Sequence, residues 1–388
     1  MLKFTIDIVN VLKRDITPIF TLLSLTVITR VLLIANATAI YYFDSYAYIS
    51  KAIDFSSRGE IQFGVGMPFI LCLGVLFYIF GSGFGVILVS RLLMLFMSIL
   101  LVYFIYSFGL RISGKILGFT AALLAIFEPY FLMYSIVPHN DVFVVALTFA
   151  ALYLIASKDM KFHYALALII FYTVAFTRPE FFVVLLFPIL AFFSFRFLEV
   201  VSFRNMIKFA FFGSLFVLPV IWVDMVYPAA TRFDIIEKFS LFLTPSMLKL
   251  TLESLFKFYD HAFLNQLFFA LLVLGVVWVL LTTLGKIVVV EKREKTFSIR
   301  RKKNKGVREI LLSDGAKVAS CLFLLFFVHI IILTTYGYGY VIVEGTLIIK
   351  TSFPVRYLVL DRVLLSYPLA YVLSMIVQEV YARVAHKK

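Results

Sequence analysis

The chain has 388 residues, 63% of them hydrophobic and 15% charged, with a mean hydropathy of +1.03 and a formal net charge of +14. Apolar runs of about 20 residues recur along it, which excludes a soluble globular protein and makes lipid its main solvent. The positive charge is not a nucleic-acid signal, because most of it collects in loops that the topology below assigns to the cytoplasm.

The opening 15 residues carry Lys3, Lys13 and Arg14, which predicts a cytoplasmic start. The first span runs roughly from Ile16 to Ile40; it is too long for a signal-peptide core and reads as a retained anchor. FDSYAYISKAIDFSSRG follows, Phe43 to Gly59. Tyr46, Ile49, Ile53 and Phe55 fall near helical spacing with Lys51, Asp54 and Arg58 between them, which predicts an amphipathic helix on the membrane surface with Asp44 at its start. MPFILCLGVLFYIFGSG is apolar but gives only about 14 helical residues before its glycines, so it is expected to re-enter or lie flat. A run from about Phe84 to Leu110 then returns to the cytoplasm at Arg111 and Lys115.

The rest of the chain alternates. Ile116 to Val137 goes out and Val142 to Ala156 returns; Tyr164 to Phe176 goes out and Phe181 to Phe195 returns. Phe209 to Met225 goes out to an external loop over 227–262, and Leu264 to Leu284 returns to a strongly basic loop over 286–316. Val318 to Thr335 goes out, and Tyr357 to Val377 returns to the basic tail YARVAHKK. The expected fold is therefore an all-α polytopic membrane bundle of about ten spans, with both termini in the cytoplasm. It divides into an N-terminal transmembrane module (1–195, with the first external loop at 41–83) and a C-terminal transmembrane region (196–388). Counting MPFILCLGVLFYIFG as a full span would send RISGK to the opposite side from the first 15 residues, which the positive-inside rule disfavours. Cys72 and Cys321 each lie within apolar runs, so no disulfide or metal framework is expected.

On this topology uncommon polar residues gather on the external side: Asp44, His139, Asn140 and Asp141 in VPHND, Arg178 and Glu180 in TRPE, and Arg356 in FPVRY. Each has a plainer alternative. Asp44 and Asp141 could only cap helices. His139 could bind a metal with Asp141 or simply be solvated. Arg178 could snorkel and Arg356 could anchor a helix end. Glu128 before Pro129, and Asp361, are costly in apolar runs and could pair with other spans. Arginine is suited to bidentate recognition of phosphate, so two arginines beside two carboxylates point to group transfer from a lipid phosphate.

In order and topology these landmarks resemble the GT-C glycosyltransferases, the polyprenyl-phosphate-sugar-dependent class that includes protein O-mannosyltransferases and the lipid A aminoarabinose transferase. The shared features are DSYAYISKAIDFSSRG followed by Pro68, a long helix with an early arginine (SRLLMLFMSILLVYFIY), AALLAIFEPYFLMYS leading to PHND, the TRPE turn, and Arg356–Tyr357 opening the last span. The resemblance implies Asp44 as general base, Asp141 as its partner, and Arg178 and Arg356 holding the donor phosphate. Tyr46, His139, Glu180 and Tyr357 are the further candidates for substrate contact. Many relatives carry a second acidic residue where this chain has Ser45, so a divalent metal is not favoured and no cofactor is assigned. Some carry a basic residue where this chain has Met67, which thins the phosphate clamp.

The expected function is an inverting glycosyltransferase of the plasma or inner membrane, working on the extracytoplasmic side. Its expected partners are a polyprenyl- or dolichyl-phosphate sugar donor, a protein, glycan or lipid acceptor, and membrane lipids, with no nucleic acid. The alternative is a transporter or flippase of a lipid-linked sugar. Transporters place ionisable groups near the midplane and often show paired halves; here the groups collect at one face and no repeat is visible.

Overall fold

The computed structural model describes residues 2–36, 43–60, 66–81, 85–157 and 163–178, four strands at 288–293, 296–301, 340–343 and 346–349, and single helical residues at 204, 207 and between 363 and 377. The other expected spans, and with them the count of ten, lie outside the described residues. The first helix, α1 (Leu2–Asn36), takes in the expected cytoplasmic start as well as the first span. Its apolar part, Thr17–Asn36, and Gly85–Ile112 within α4 (Gly85–Ser113) are each long and apolar enough to cross a membrane.

Between them lie α2 (Phe43–Arg58) and α3 (Met67–Phe80), at the positions the sequence predicts. Glycines with left-handed backbone bound α3: Gly66 (φ 83°) before it, with Pro68 in its first turn, and Gly81 (φ 89°) after it. With 14 residues, α3 is about 21 Å long, short of a hydrocarbon core of about 30 Å.

The expected span Ile116–Val137 is corrected by the structure. It is two helices, α5 (Lys115–Ile126) and α6 (Pro129–Tyr134), separated at Phe127–Glu128. The residue before a proline is driven out of helical backbone, and Glu128 is extended at φ −63°, ψ 122°. Its carboxylate then caps the new helix, Oε2 accepting from the Phe131 amide at 2.6 Å. After the turn at His139 come α7 (Asn140–Ala156) and α8 (His163–Thr177).

Helix α4 is the axis of the described bundle, packing on α1, α3, α5 and α7. It crosses α5 where two glycines meet: a Cβ on Gly109 would lie 2.5 Å from the Gly118 Cα. Its C-terminal turn lies beside that of α7, with Arg111 Nη2 donating to the Tyr153 hydroxyl at 3.2 Å and the guanidinium 4.8 Å from the ring centre. From this shared level, α7 rises about 18 Å back to Asp141, whereas α4 rises about 39 Å back to Gly85. Helix α4 therefore overhangs the level of Asp141 by about 21 Å, the length of α3, which packs against it.

Helices α2 and α3 run side by side in the same direction. Tyr48 meets Gly66, and one to two turns on Phe55 and Ala52 meet Gly74, where a Cβ would lie 2.4 Å from Phe55 Cδ1 and 3.1 Å from the Ala52 carbonyl. The described membrane part is helical, as expected, but the loops refine the all-α description. Val288–Arg293 (β1) pairs antiparallel with Thr296–Arg301 (β2) in the basic loop, and Tyr340–Val343 (β3) with Thr346–Ile349 (β4) in the stretch before the last span. β-Branched residues supply the pairing propensity in VVV and VIV.

Candidate functional site

Four elements converge on the carbonyl of Thr177, the last residue of α8. It accepts from the Gly66 amide at 2.9 Å and from Asn140 Nδ2 at 3.3 Å. Gly66 leads into α3 and Asn140 opens α7, so one carbonyl ties three elements together. The Arg178 amide continues the helical bonding to Val174 at 2.9 Å, which holds Arg178 at the end of α8 instead of in a free loop. Tyr48 brings in the fourth element, α2, because a Cβ on Gly66 would strike its ring.

At this junction Arg178 and Asp141 form an ion pair, each only 4% exposed. On its other oxygen, Asp141 Oδ2 faces His139 Nδ1 at 2.5 Å. The imidazole thus stands against the second oxygen of the same carboxylate. The His139 ring is flanked edge-on by Tyr48, at 5.5 Å between centres, and at a tilt by Tyr134, at 6.3 Å. The carboxylate neutralises the guanidinium through one oxygen and faces the imidazole with the other. Removed from water, such a charge costs far less when it is matched by an opposite one, as Asp141 and Arg178 are. The sequence puts His139, Asp141 and Arg178 on one face but at the water interface; the structure buries all three, because α2 and α3 cover them.

Asp44 is the second residue of α2, and its side chain lies outside the described residues. Its backbone stands one turn before Tyr48, about 6 Å along the same helix side. Tyr48 in turn touches His139, so the first turn of α2 leans on the Asp141–Arg178 junction. Ser45, next to Asp44, has no solvent exposure, whereas Tyr46 is 72% exposed. Glu180, Arg356 and Tyr357 lie outside the described residues.

A further charged cluster is absent from the sequence reading. Arg30, in the middle of the first apolar span, has no solvent exposure. Its Nη1 donates at 2.9 Å both to the Ile126 carbonyl at the end of α5 and to the Thr29 hydroxyl, and its guanidinium lies 4.5 Å from the centre of the Phe131 ring. Glu128 is the opposite charge acting on it. The costly Glu128 thus caps α6 and balances an arginine from another span. Sequence holds one cue: Ile19, Leu22, Thr26 and Arg30 follow a spacing of three to four, and all four are 0–2% exposed.

Among the described residues no three His, Cys, Asp or Glu side chains gather as a metal site. His139 and Asp141 are two groups of ligating type, but Asp141 is committed to Arg178.

No protein-family model matches the chain, and no curated protein matches it. Among solved structures it is similar to the archaeal oligosaccharyltransferase AglB from Archaeoglobus fulgidus, solved with an inhibitory peptide and a dolichol-phosphate. The TM-score is 0.52 at 12% identity, over 97% of this chain and 52% of that one, so the chain spans about half the length of that enzyme. At this identity the likeness is one of fold alone.

Proposed function

We propose that the chain is an integral membrane glycosyltransferase that moves a sugar from a polyprenyl- or dolichyl-phosphate carrier to an acceptor on the extracytoplasmic side. The observation that carries this reading is the buried Asp141–Arg178–His139 cluster, closed over by the helix whose first turn holds Asp44, in a fold like that of an oligosaccharyltransferase. Buried ionisable groups in a membrane bundle mark functional sites by default.

In the proposed reaction an acceptor hydroxyl attacks the anomeric carbon. The new C1–O bond forms as the bond from C1 to the phosphate oxygen breaks, with inversion, and Asp44 takes the hydroxyl proton. The lipid phosphate leaves as a stable anion and needs no general acid. Arg178 and Arg356 stabilise the charge growing on it. Because Arg178 is held by Asp141, its part in donor binding is an exchange: phosphate replaces the carboxylate, and the released Asp141 becomes the more basic partner for Asp44. Tyr46, His139, Glu180 and Tyr357 are assigned to substrate contact. The sidedness rests on the charge pattern of the loops.

The test is transfer of radiolabelled sugar from a panel of polyprenyl- and dolichyl-phosphate monosaccharides by the full chain in proteoliposomes. Asp44→Asn should lose about 10²–10⁴-fold in rate while still binding donor. Turnover within a factor of three of wild type would remove Asp44 as the base. Donor binding without transfer by the unaltered chain would favour a carrier of lipid-linked sugar.

A further inference from the structure

Arg30 uses one of its three nitrogens. Among the described residues Nε and Nη2 have no hydrogen-bond partner, although the side chain has no solvent exposure. These two N–H groups lie side by side and parallel; they are the edge with which a guanidinium grips a carboxylate or phosphate through two bonds. The edge stays a cationic donor, since arginine does not deprotonate in proteins. Snorkelling is the usual fate of an arginine in a span, but here Nη1 is fixed on Ile126 and the guanidinium on the Phe131 ring. Glu128 balances the charge, yet its Oε2 caps α6 and neither Nε nor Nη2 is closed by a hydrogen bond.

The surroundings indicate what reaches this edge. On α1 the next two residues, Val31 and Leu32, are 47% and 57% exposed. On the facing break between α5 and α6, Phe127 and Met133 are 47% and 37% exposed. The exposed residues next in sequence to Arg30 and to its partners Ile126 and Phe131 are thus apolar, suited to hydrocarbon. On its inner side, Phe131 lies one turn before Tyr134 on α6, and Tyr134 faces His139. Arg30 is thereby joined through one short helix to the Asp141–Arg178 cluster, whose own guanidinium is already neutralised.

We infer that the Nε–Nη2 edge of Arg30 is a seat for a phosphate group borne on an apolar chain, entering from the lipid between α1 and α6. The inference rests on the reading of the chain as a user of lipid-phosphate donors, and it supplies the part of the phosphate site that Arg178, held by Asp141, leaves open.

The test uses the full chain in nanodiscs and four probes: undecaprenyl phosphate, undecaprenol, phosphatidylglycerol and inorganic phosphate. Affinity and the ligand-free unfolding midpoint are measured for wild type, Arg30→Lys and Arg30→Gln. Undecaprenyl phosphate should bind wild type and weaken about tenfold to a hundredfold in Arg30→Gln, with a smaller loss in Arg30→Lys, which keeps the charge without the fork. Undecaprenol should be indifferent to the substitutions. Where a variant fails to fold, wild type carries the test alone: a photoactivatable isoprenyl phosphate should label α1 near Val31 or α6 near Met133, and labelling confined elsewhere overturns the seat. Equal affinity in all three proteins, with only the ligand-free midpoint falling, would make Arg30 a tie between α1 and α5 and overturn the proposal. Arg30-dependent binding of phosphatidylglycerol or inorganic phosphate, with none of undecaprenyl phosphate, would overturn the link to an isoprenoid carrier. No arm requires sugar transfer. A chain that binds through Arg30 but transfers nothing leaves the seat standing and refutes the glycosyltransferase reading.

Discussion

Removing either half of the Asp141–Arg178 pair should destabilise the protein, and by unequal amounts. Both side chains are 4% exposed, so a lone survivor is a charge held out of water. Asp141→Asn leaves the guanidinium facing a neutral amide; breaking a buried pair in this way costs about 3–5 kcal/mol. At about 1.4 kcal/mol per factor of ten, that is roughly 10²- to 4×10³-fold in the folding equilibrium. Arg178→Met leaves Asp141 with His139 at 2.5 Å, and a protonated imidazole can supply the missing positive charge. Its cost should therefore be smaller, about 1–3 kcal/mol. The double variant removes both charges and should be more stable than the sum of the singles, by about 1 kcal/mol or more. Equilibrium unfolding in mixed micelles of dodecylmaltoside and dodecyl sulfate, followed by far-ultraviolet circular dichroism, measures all four proteins. Strict additivity of the two substitutions, or Asp141→Asn within about 0.5 kcal/mol of wild type, refutes the pair as a unit of the fold.

Gly74→Val should cost about 1–3 kcal/mol, read as a lower unfolding midpoint, because its Cβ meets Phe55 and the Ala52 carbonyl backbone and forces α2 off α3. If α3 does not cross the membrane, Ser57→Cys and Ser82→Cys in an otherwise cysteine-free chain should both react with an impermeant thiol reagent added outside cells; labelling of Ser82→Cys from the cytoplasm alone would make α3 a span.

Sequence and structure agree most closely where turn chemistry punctuates the chain. Gly66 with Pro68 and Gly81 delimit α3 to the residue, and Gly59, at φ +70°, closes α2. Hydropathy averages over such punctuation when the break lies inside an apolar run. Ile116 to Val137 looks continuous because Phe127, Phe131, Leu132 and Met133 keep the mean high on both sides of Glu128–Pro129. Proline's effect on its predecessor, joined to an acidic side chain able to cap, outweighs the average. The short hairpins were hidden for the opposite reason: in β1 and β2 a few β-branched residues are surrounded by so many charges that the segment reads as a solvated loop.

For the site, a list of polar residues identifies which groups meet but not how they neutralise one another. VPHND and TRPE are far apart in sequence, and it is the packing of α7 on α8, with the Thr177 carbonyl drawing Gly66 and Asn140 to one point, that makes Arg178 and Asp141 partners. Read singly, Arg178 is a phosphate ligand and Asp141 a spare carboxylate; read as a pair, each is unavailable until the other is displaced. Arg30 shows the same limit from the other side. A lone arginine in a span reads as a residue reaching for the interface, and composition offers nothing against that. The spacing does: Thr26 and Arg30 continue the stripe of Ile19 and Leu22, and polar groups on that stripe must face protein, because on the lipid side they would have no partners at all. With Glu128 matched to Arg30 and Asp141 to Arg178, both arginines are buried beside a carboxylate, so an anion arriving at either one must compete with that carboxylate for the guanidinium. At Arg30 the Nε–Nη2 edge carries no hydrogen bond, whereas at Arg178 the ion pair itself must open, and that difference makes the proposed phosphate seat at Arg30 the easier of the two to engage first.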